Sequence, residues 1–336
     1  MTTKKPPLGV VLINLGTPDT PDAPGIRRYL KEFLADPRVV NVPRLVWLPI
    51  LYCFILTFRP RKLVEKYASI WRPAGAPIRA FTQTLADRLH ERLNSAYLGR
   101  AFRVAPAMTY GNPSIESVVR EFQADGINDF LFLPLFPQYA GATIGAVSDK
   151  LGQVLSRLTV VPGIRFIDNY HDDPVYVHAL TRSIEPHVSA LDDASLLVFS
   201  FHGIPVAQSE AGDPYRSQCE HTAGLVATRL GLTDTQWKVT FQSRFGPAPW
   251  LQPYTDETME SLPEKGIKKV FVVCPGFSAD CLETLEEIDM ENREIFMEAG
   301  GESFTYIPAL NDSDDHLGVI EHLVKSHLYD TESALV

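Results

Sequence analysis

The sequence predicts an α/β fold of two doubly wound domains, each a four-stranded parallel sheet flanked by helices. Three observations lead there: the length, an alternation of strand and helix signals along the whole chain, and the recurrence of that plan in each half. At 336 residues the chain exceeds one ordinary core, so two units of roughly 150 residues are expected. Apolar runs rich in β-branched and aromatic residues fall at 9–16, 102–110, 129–136 and 163–169 in the first half. The second half repeats them at 195–201, 238–244, 268–274 and 303–309. Helical spacing fills 78–95, 114–124, 141–157, 173–190, 216–230, 281–299 and 313–328. Strands alternating with helices in this way build parallel βαβ sheets. The junction is expected near 170–176, giving an N-terminal domain over 1–172 and a C-terminal domain over 173–336.

Composition narrows the function. With 45% hydrophobic and 21% charged residues and no low-complexity tract, the chain reads as an ordinary folded protein. Its 31 Lys and Arg against 41 Asp and Glu leave a net charge of -10, which repels polyanions, so no nucleic-acid partner is expected; a cationic substrate suits the field better. The start, MTTKKPPLGVVLINLGTPD, has two lysines before an apolar stretch but no small-residue cleavage site, so no signal peptide is expected. Cys53, Cys219, Cys274 and Cys281 form no CxxC pair and are too sparse for a disulfide framework, which points to a reducing, cytoplasmic setting.

Residues 45–58, LVWLPILYCFILTF, form an unbroken apolar run between Arg44 and Arg59. The run is shorter than the roughly 20 residues a membrane-spanning helix needs, and Pro49 interrupts it. Two readings stand: a buried helix or core loop, or an exposed apolar lip that touches a membrane surface and admits a flat hydrophobic substrate. Arg59, Arg61 and Lys62 stand beside it to meet anionic groups.

In open parallel sheets ligands bind beyond the carboxyl ends of the strands. Those ends carry LGTPD (15–19), TYGNP (109–113), FPQYAGAT (136–143), FHGIP (201–205), SRFGPAPW (243–250) and CPGFSADCLETLEEID (274–289). No GxGxxG follows the first strand, which excludes the dinucleotide fingerprint. His202 lies just past an apolar strand, before Gly203 and Pro205, in a loop suited to fixing its imidazole. Glu283, Glu287 and Glu291 recur at i, i+4 and i+8 on the helix that begins after 268–274, and so line one face. Like charges at that spacing cost about 0.2–0.5 kcal/mol per pair, so the row is either a solvated surface or a means of attracting cations. Carboxylates with one imidazole suit a weakly and transiently held ferrous ion. Cys281 is either a small buried thiol or a further ligand. Tyr110, Tyr139 and Trp250 are either core aromatics or the border of a planar macrocycle, and Ser243 and Arg244 are candidates to address an anionic substrate group. No HExxH or other closed ligand set marks a zinc hydrolase.

Five of these segments in order, LGTPD, LPLFPQY (133–139), SFHGIP (200–205), FQSRFGPAPW (241–250) and CPGFSADCLETLEEID, resemble the ferrochelatase family across nearly the whole chain. The resemblance implies two Rossmann-like domains with an active-site cleft between them, no organic cofactor, and Fe2+ and protoporphyrin IX as substrates. It puts the paired catalytic and metal-handling residues on His202 and Glu283, with Glu287 and Glu291 as a relay. Leu15, where many coproporphyrin-using members carry tyrosine, favours protoporphyrin IX, and Cys281 replaces a histidine of eukaryotic members. No cysteine follows Cys281, so no iron-sulfur cluster is expected. The rivals are a coproporphyrin ferrochelatase, a chelatase placing cobalt in sirohydrochlorin, and a non-catalytic heme or metal carrier. The expected location is cytoplasmic, with peripheral contact at the inner face of the membrane through 45–58.

Overall fold

Two wholly parallel four-stranded sheets form the framework of the computed structural model, which describes residues 5–96, 99–189 and 191–329. The first sheet contains β1 (Lys5–Gly16), β2 (Arg100–Tyr110), β3 (Asp129–Pro134) and β4 (Gly163–Phe166), in the order β2-β1-β3-β4. The second contains β5 (Ser195–His202), β6 (Trp237–Gln242), β7 (Lys269–Val273) and β8 (Ser303–Ile307), in the order β6-β5-β7-β8. The two orders are the same, with β5 in the role of β1. Every strand matches a run expected from the sequence. β5 is buried from Ser195 to Phe201, as befits a central parallel strand covered by helices on both faces. Its register sets Phe201 opposite Phe241 and His202 opposite Gln242, while Phe199 pairs with Val273. The carboxyl ends of β5, β6 and β7 therefore converge.

Two compact units result: Met1–Leu135, Gly141–Asp168 and Asp312–Val336 form one, and Phe136–Ala140 with Asn169–Asn311 the other. The chain crosses at Asp168/Asn169, just before the expected window, but the division into 1–172 and 173–336 needs two corrections. The last helix, Asp314–Tyr329, belongs to the first unit: Val319, Ile320 and Val324 are fully buried, and Arg92 pairs with the buried Glu321 at 2.6 Å from helix Pro77–Ala96. Residues 136–140 belong to the second unit, where Tyr170 N–H donates to Pro137 O at 2.9 Å and Gln138 Nε2 to Thr222 Oγ1 at 3.1 Å. Residues 1–4, 97–98, 190 and 330–336 lie outside the described residues. So do the first residues of the stretch read for a signal peptide, the end of the helix expected over 173–190, and the last residues read for an iron-sulfur extension.

Helix Ala23–Leu34 was absent from the expected set. Asp22 caps it, accepting from Gly25 N–H at 2.7 Å with Pro24 in the first turn. Residues 45–58 fold as helix Arg44–Ile50, a π-turn Leu51–Ile55 and the start of helix Leu56–Ile70. The run is buried in part and exposed in part. Trp47, Leu51 and Leu56 are buried, whereas Leu45, Phe54 and Phe58 are 92%, 62% and 61% exposed. No helix among the described residues is long and apolar enough to cross a membrane.

Candidate active site

The apolar β5 ends at the half-buried His202. Its Nδ1 lies 2.7 Å from Gly203 O. A carbonyl oxygen only accepts, so Nδ1 carries the proton and Nε2 keeps a free lone pair. The loop holds that orientation through the Gly203 N–H, which donates to Gln242 O at 2.8 Å. Glycine serves close approach here rather than a left-handed φ: an added Cβ would lie 3.0 Å from Gln242 O and 3.2 Å from Trp250 Cε3. Trp250 and Phe277 flank the imidazole, with ring centroids 6.4 and 6.5 Å away.

Facing this loop, the segment after β7 is fixed before its helix begins. The buried Asp280 accepts from Tyr306 Oη at 2.6 Å, Asn311 Nδ2 at 2.8 Å and Ala309 N–H at 3.2 Å. Gln242, itself held through Ser200 Oγ at 2.8 Å, donates Nε2 to Glu283 O at 2.9 Å. The helix that follows is not α: Glu283–Asn292 is a ten-residue π-helix, continued by the α-helix Arg293–Glu298. Such i→i+5 stretches are normally single turns and recur at functional sites. Asn292 Nδ2 donates to Glu287 O at 2.8 Å, five residues back, and so supports the widened turn. Ile288 and Phe296 pack with Met259, Val272 and Phe304 in the core of the second sheet, which anchors the helix. Glu283 and Glu287 are half-buried and Glu291 exposed, so the carboxylate row runs outward to solvent.

Ser243 Oγ donates to Glu287 Oε2 from a backbone held at φ 66°. Burial pushes the Glu287 carboxyl above its ordinary range; the Ser243 hydrogen bond and, whenever the imidazole takes up a second proton, the positive charge of His202 pull it back, and Glu283 pushes it up again. Three neighbouring side chains thus act on the Glu287 carboxyl. Cys281 takes its bland reading: burial and then the neighbouring Glu283 hold its thiol well above the usual range, so it carries its proton rather than serving as a thiolate.

Other expected residues fare differently. Tyr110 is fully buried, donates its hydroxyl to Asp36 at 2.9 Å and packs on Phe33, which makes it a core aromatic and corrects its assignment to a substrate. Arg244 is already committed to Glu257 at 2.6 Å and Asp256 at 2.9 Å, with its guanidinium over Tyr254. Leu15 is half-buried at the end of β1, and the half-buried Tyr139 is fixed through its N–H to Gln218 Oε1 at 2.6 Å. Sequence reasoning passed over Gln242 and Phe277. The signal for Gln242 was a lone amide closing the strand WKVTFQ, directly after the buried Phe241.

A base with a free lone pair beside a graded carboxylate row, at the strand ends of the second parallel sheet, has the donor groups that can hold a metal cation and carry protons. Solved structures of chelatases share its fold. SirB from Bacillus subtilis with Fe3+ matches at a TM-score of 0.58 and 12% identity over 97% of this chain and 98% of that one. The sirohydrochlorin chelatase SirB in complex with cobalt, from Bacillus subtilis subspecies spizizenii, matches at 0.54 and 10% over 97% of each. At such identities the likeness is one of fold. The chain belongs to the ferrochelatase family, whose model matches residues 7–328. Proteins named ferrochelatase from Alcanivorax borkumensis and ferrochelatase 2 from Shewanella oneidensis are 50% and 48% identical to it. Each match covers 96% of this chain, with 94% and 98% of the respective relative.

Proposed function

We propose that this enzyme inserts Fe2+ into protoporphyrin IX, forming protoheme and releasing two protons as the last step of heme biosynthesis. The observation that carries the reading is His202, with Nε2 unencumbered, set against a carboxylate row that leads from a half-buried to an exposed position. Inserting a divalent metal requires two pyrrole N–H bonds to break while the ring bends enough for nitrogen lone pairs to reach the metal. His202 Nε2 accepts a pyrrole proton. Glu283 guides the metal, and Glu287 and Glu291 pass metal or protons along the row; the raised Glu287 carboxyl suits a group that both takes and gives up a proton. Trp250 and Phe277 supply flat apolar walls beside the base.

Protoporphyrin IX, rather than the more highly carboxylated coproporphyrin, is supported by the apolar Leu15 and by the exposed face of 45–58. That face also supports peripheral membrane contact, since Leu45, Phe54 and Phe58 gain by leaving water. Anaerobic incubation with Fe2+ and either porphyrin, followed by loss of porphyrin fluorescence, tests the reading. Many turnovers with protoporphyrin IX are expected; a stop after one equivalent indicates a carrier, and preference for coproporphyrin overturns the substrate assignment.

A further inference from the structure

A second group of metal-ligating side chains lies away from the insertion site. His171 precedes helix Pro174–Val188, and His221 lies on helix Tyr215–Arg229; neither belongs to the His202 loop or the π-helix. One donor atom from each of His171, Asp172 and His221 falls within 4.8 Å of the others. His171 Nε2 and His221 Nδ1 are 3.4 Å apart. That is beyond the roughly 2.7–3.2 Å of a good hydrogen bond. It agrees with the separation of about 3.3 Å between two nitrogens held tetrahedrally on zinc by bonds of about 2.05 Å.

The surroundings prepare the pair for a cation. His171 Nδ1 donates to Asn169 Oδ1 at 3.0 Å, which leaves the Nε2 lone pair directed at His221. An outer partner of this kind is what orients metal-bound histidines. Thr222 Oγ1, next to His221, donates to His171 O at 2.8 Å and ties the loop to the helix. Asp173 caps the adjoining helix through Val175 N–H at 2.8 Å and fixes the loop from its other side. Asp172 approaches His171 Nδ1 to 3.8 Å, with half its side chain in water, and brings a negative charge.

We propose that His171, His221 and Asp172 form a second site for a borderline divalent transition cation of the Zn2+ or Co2+ kind, with its fourth position open to water. Two imidazoles and one carboxylate suit such ions and disfavour Mg2+ and Ca2+, which demand oxygen ligands. The bound ion would link the loop before one helix to the middle of another and stabilise the second unit by mass action.

The test uses the full chain carrying His202→Ala and Glu283→Gln, stripped of metal and titrated with Co2+. One equivalent should give the visible absorption of four-coordinate Co2+. Adding His221→Ala should abolish that absorption, and Asn169→Ala should weaken binding about 10- to 100-fold. The same comparison without the active-site changes should give one Co2+ fewer per chain for His221→Ala, with iron insertion unaltered and the Zn2+-dependent rise in melting temperature gone. Equal stoichiometry and spectrum with and without His221 would overturn the site, and loss of iron insertion in His221→Ala would overturn its independence.

Discussion

Removing the Ser243 hydroxyl in Ser243→Ala should move the acid side of the pH-rate profile to higher pH. Four influences set the Glu287 carboxyl besides burial, and the hydrogen bond from Ser243 Oγ is the largest that favours the ionised form. A hydrogen bond to a charged group contributes about 1.5–3 kcal/mol. At about 1.4 kcal/mol per decade, its loss lowers the ionised fraction of Glu287 roughly ten- to hundredfold wherever the group is largely protonated. Because Glu287 lies between Glu283 and the exposed Glu291, kcat/KM for Fe2+ should drop by about that factor on the acid limb and approach the parent value at high pH. The assay is anaerobic porphyrin fluorescence at saturating protoporphyrin IX and limiting iron across the pH range. Ser243→Gly is the companion variant, since it removes the same hydroxyl while relaxing the φ of 66°. Both variants should shift the limb alike despite different melting temperatures. Variant profiles that coincide with the parent's, or a loss of the same size at every pH, would refute the role given to Glu287.

Three other outcomes follow from the same geometry. Glu287 has a folded pKa above its unfolded one, so it contributes stability below the unfolded value that is lost as pH rises through the folded value; urea unfolding should show the parent protein losing ground to Glu287→Gln across that window and running parallel above it. Gly203→Ala places a methyl 3.0 Å from Gln242 O and 3.2 Å from Trp250 Cε3, which should cost about 1–3 kcal/mol in unfolding measurements and lower turnover by displacing the His202 loop. Replacing Leu45, Phe54 and Phe58 with serine should weaken co-sedimentation with lipid vesicles and leave stability within about 0.5 kcal/mol per site, since all three are exposed.

The strands were legible because parallel strands covered on both faces are plain apolar runs, and β5 shows it from Ser195 to Phe201. The position of His202 at the end of β5 was legible because the apolar run stops there. What escaped depended on tertiary partners. A spacing of four fits the carboxylate row to an α-helix, and only the support of Asn292 beneath Glu287 O reveals the π-helix. Arg244 looked available until Asp256 and Glu257 were seen beside it, and Tyr110 looked like a wall until Asp36 took its hydroxyl. The last helix follows β8 in sequence yet buries its apolar face in the first unit, a choice that periodicity does not encode.

The central claim is that His202 supplies the base and Glu283 the carboxylate for metal insertion. Steady-state Fe2+ insertion into protoporphyrin IX by His202→Ala and Glu283→Gln, each checked for an unchanged melting temperature, tests it most directly. Both variants should lose most of their turnover while still binding the porphyrin. Near-parental rates in either, with the fold intact, would contradict the assignment of that residue.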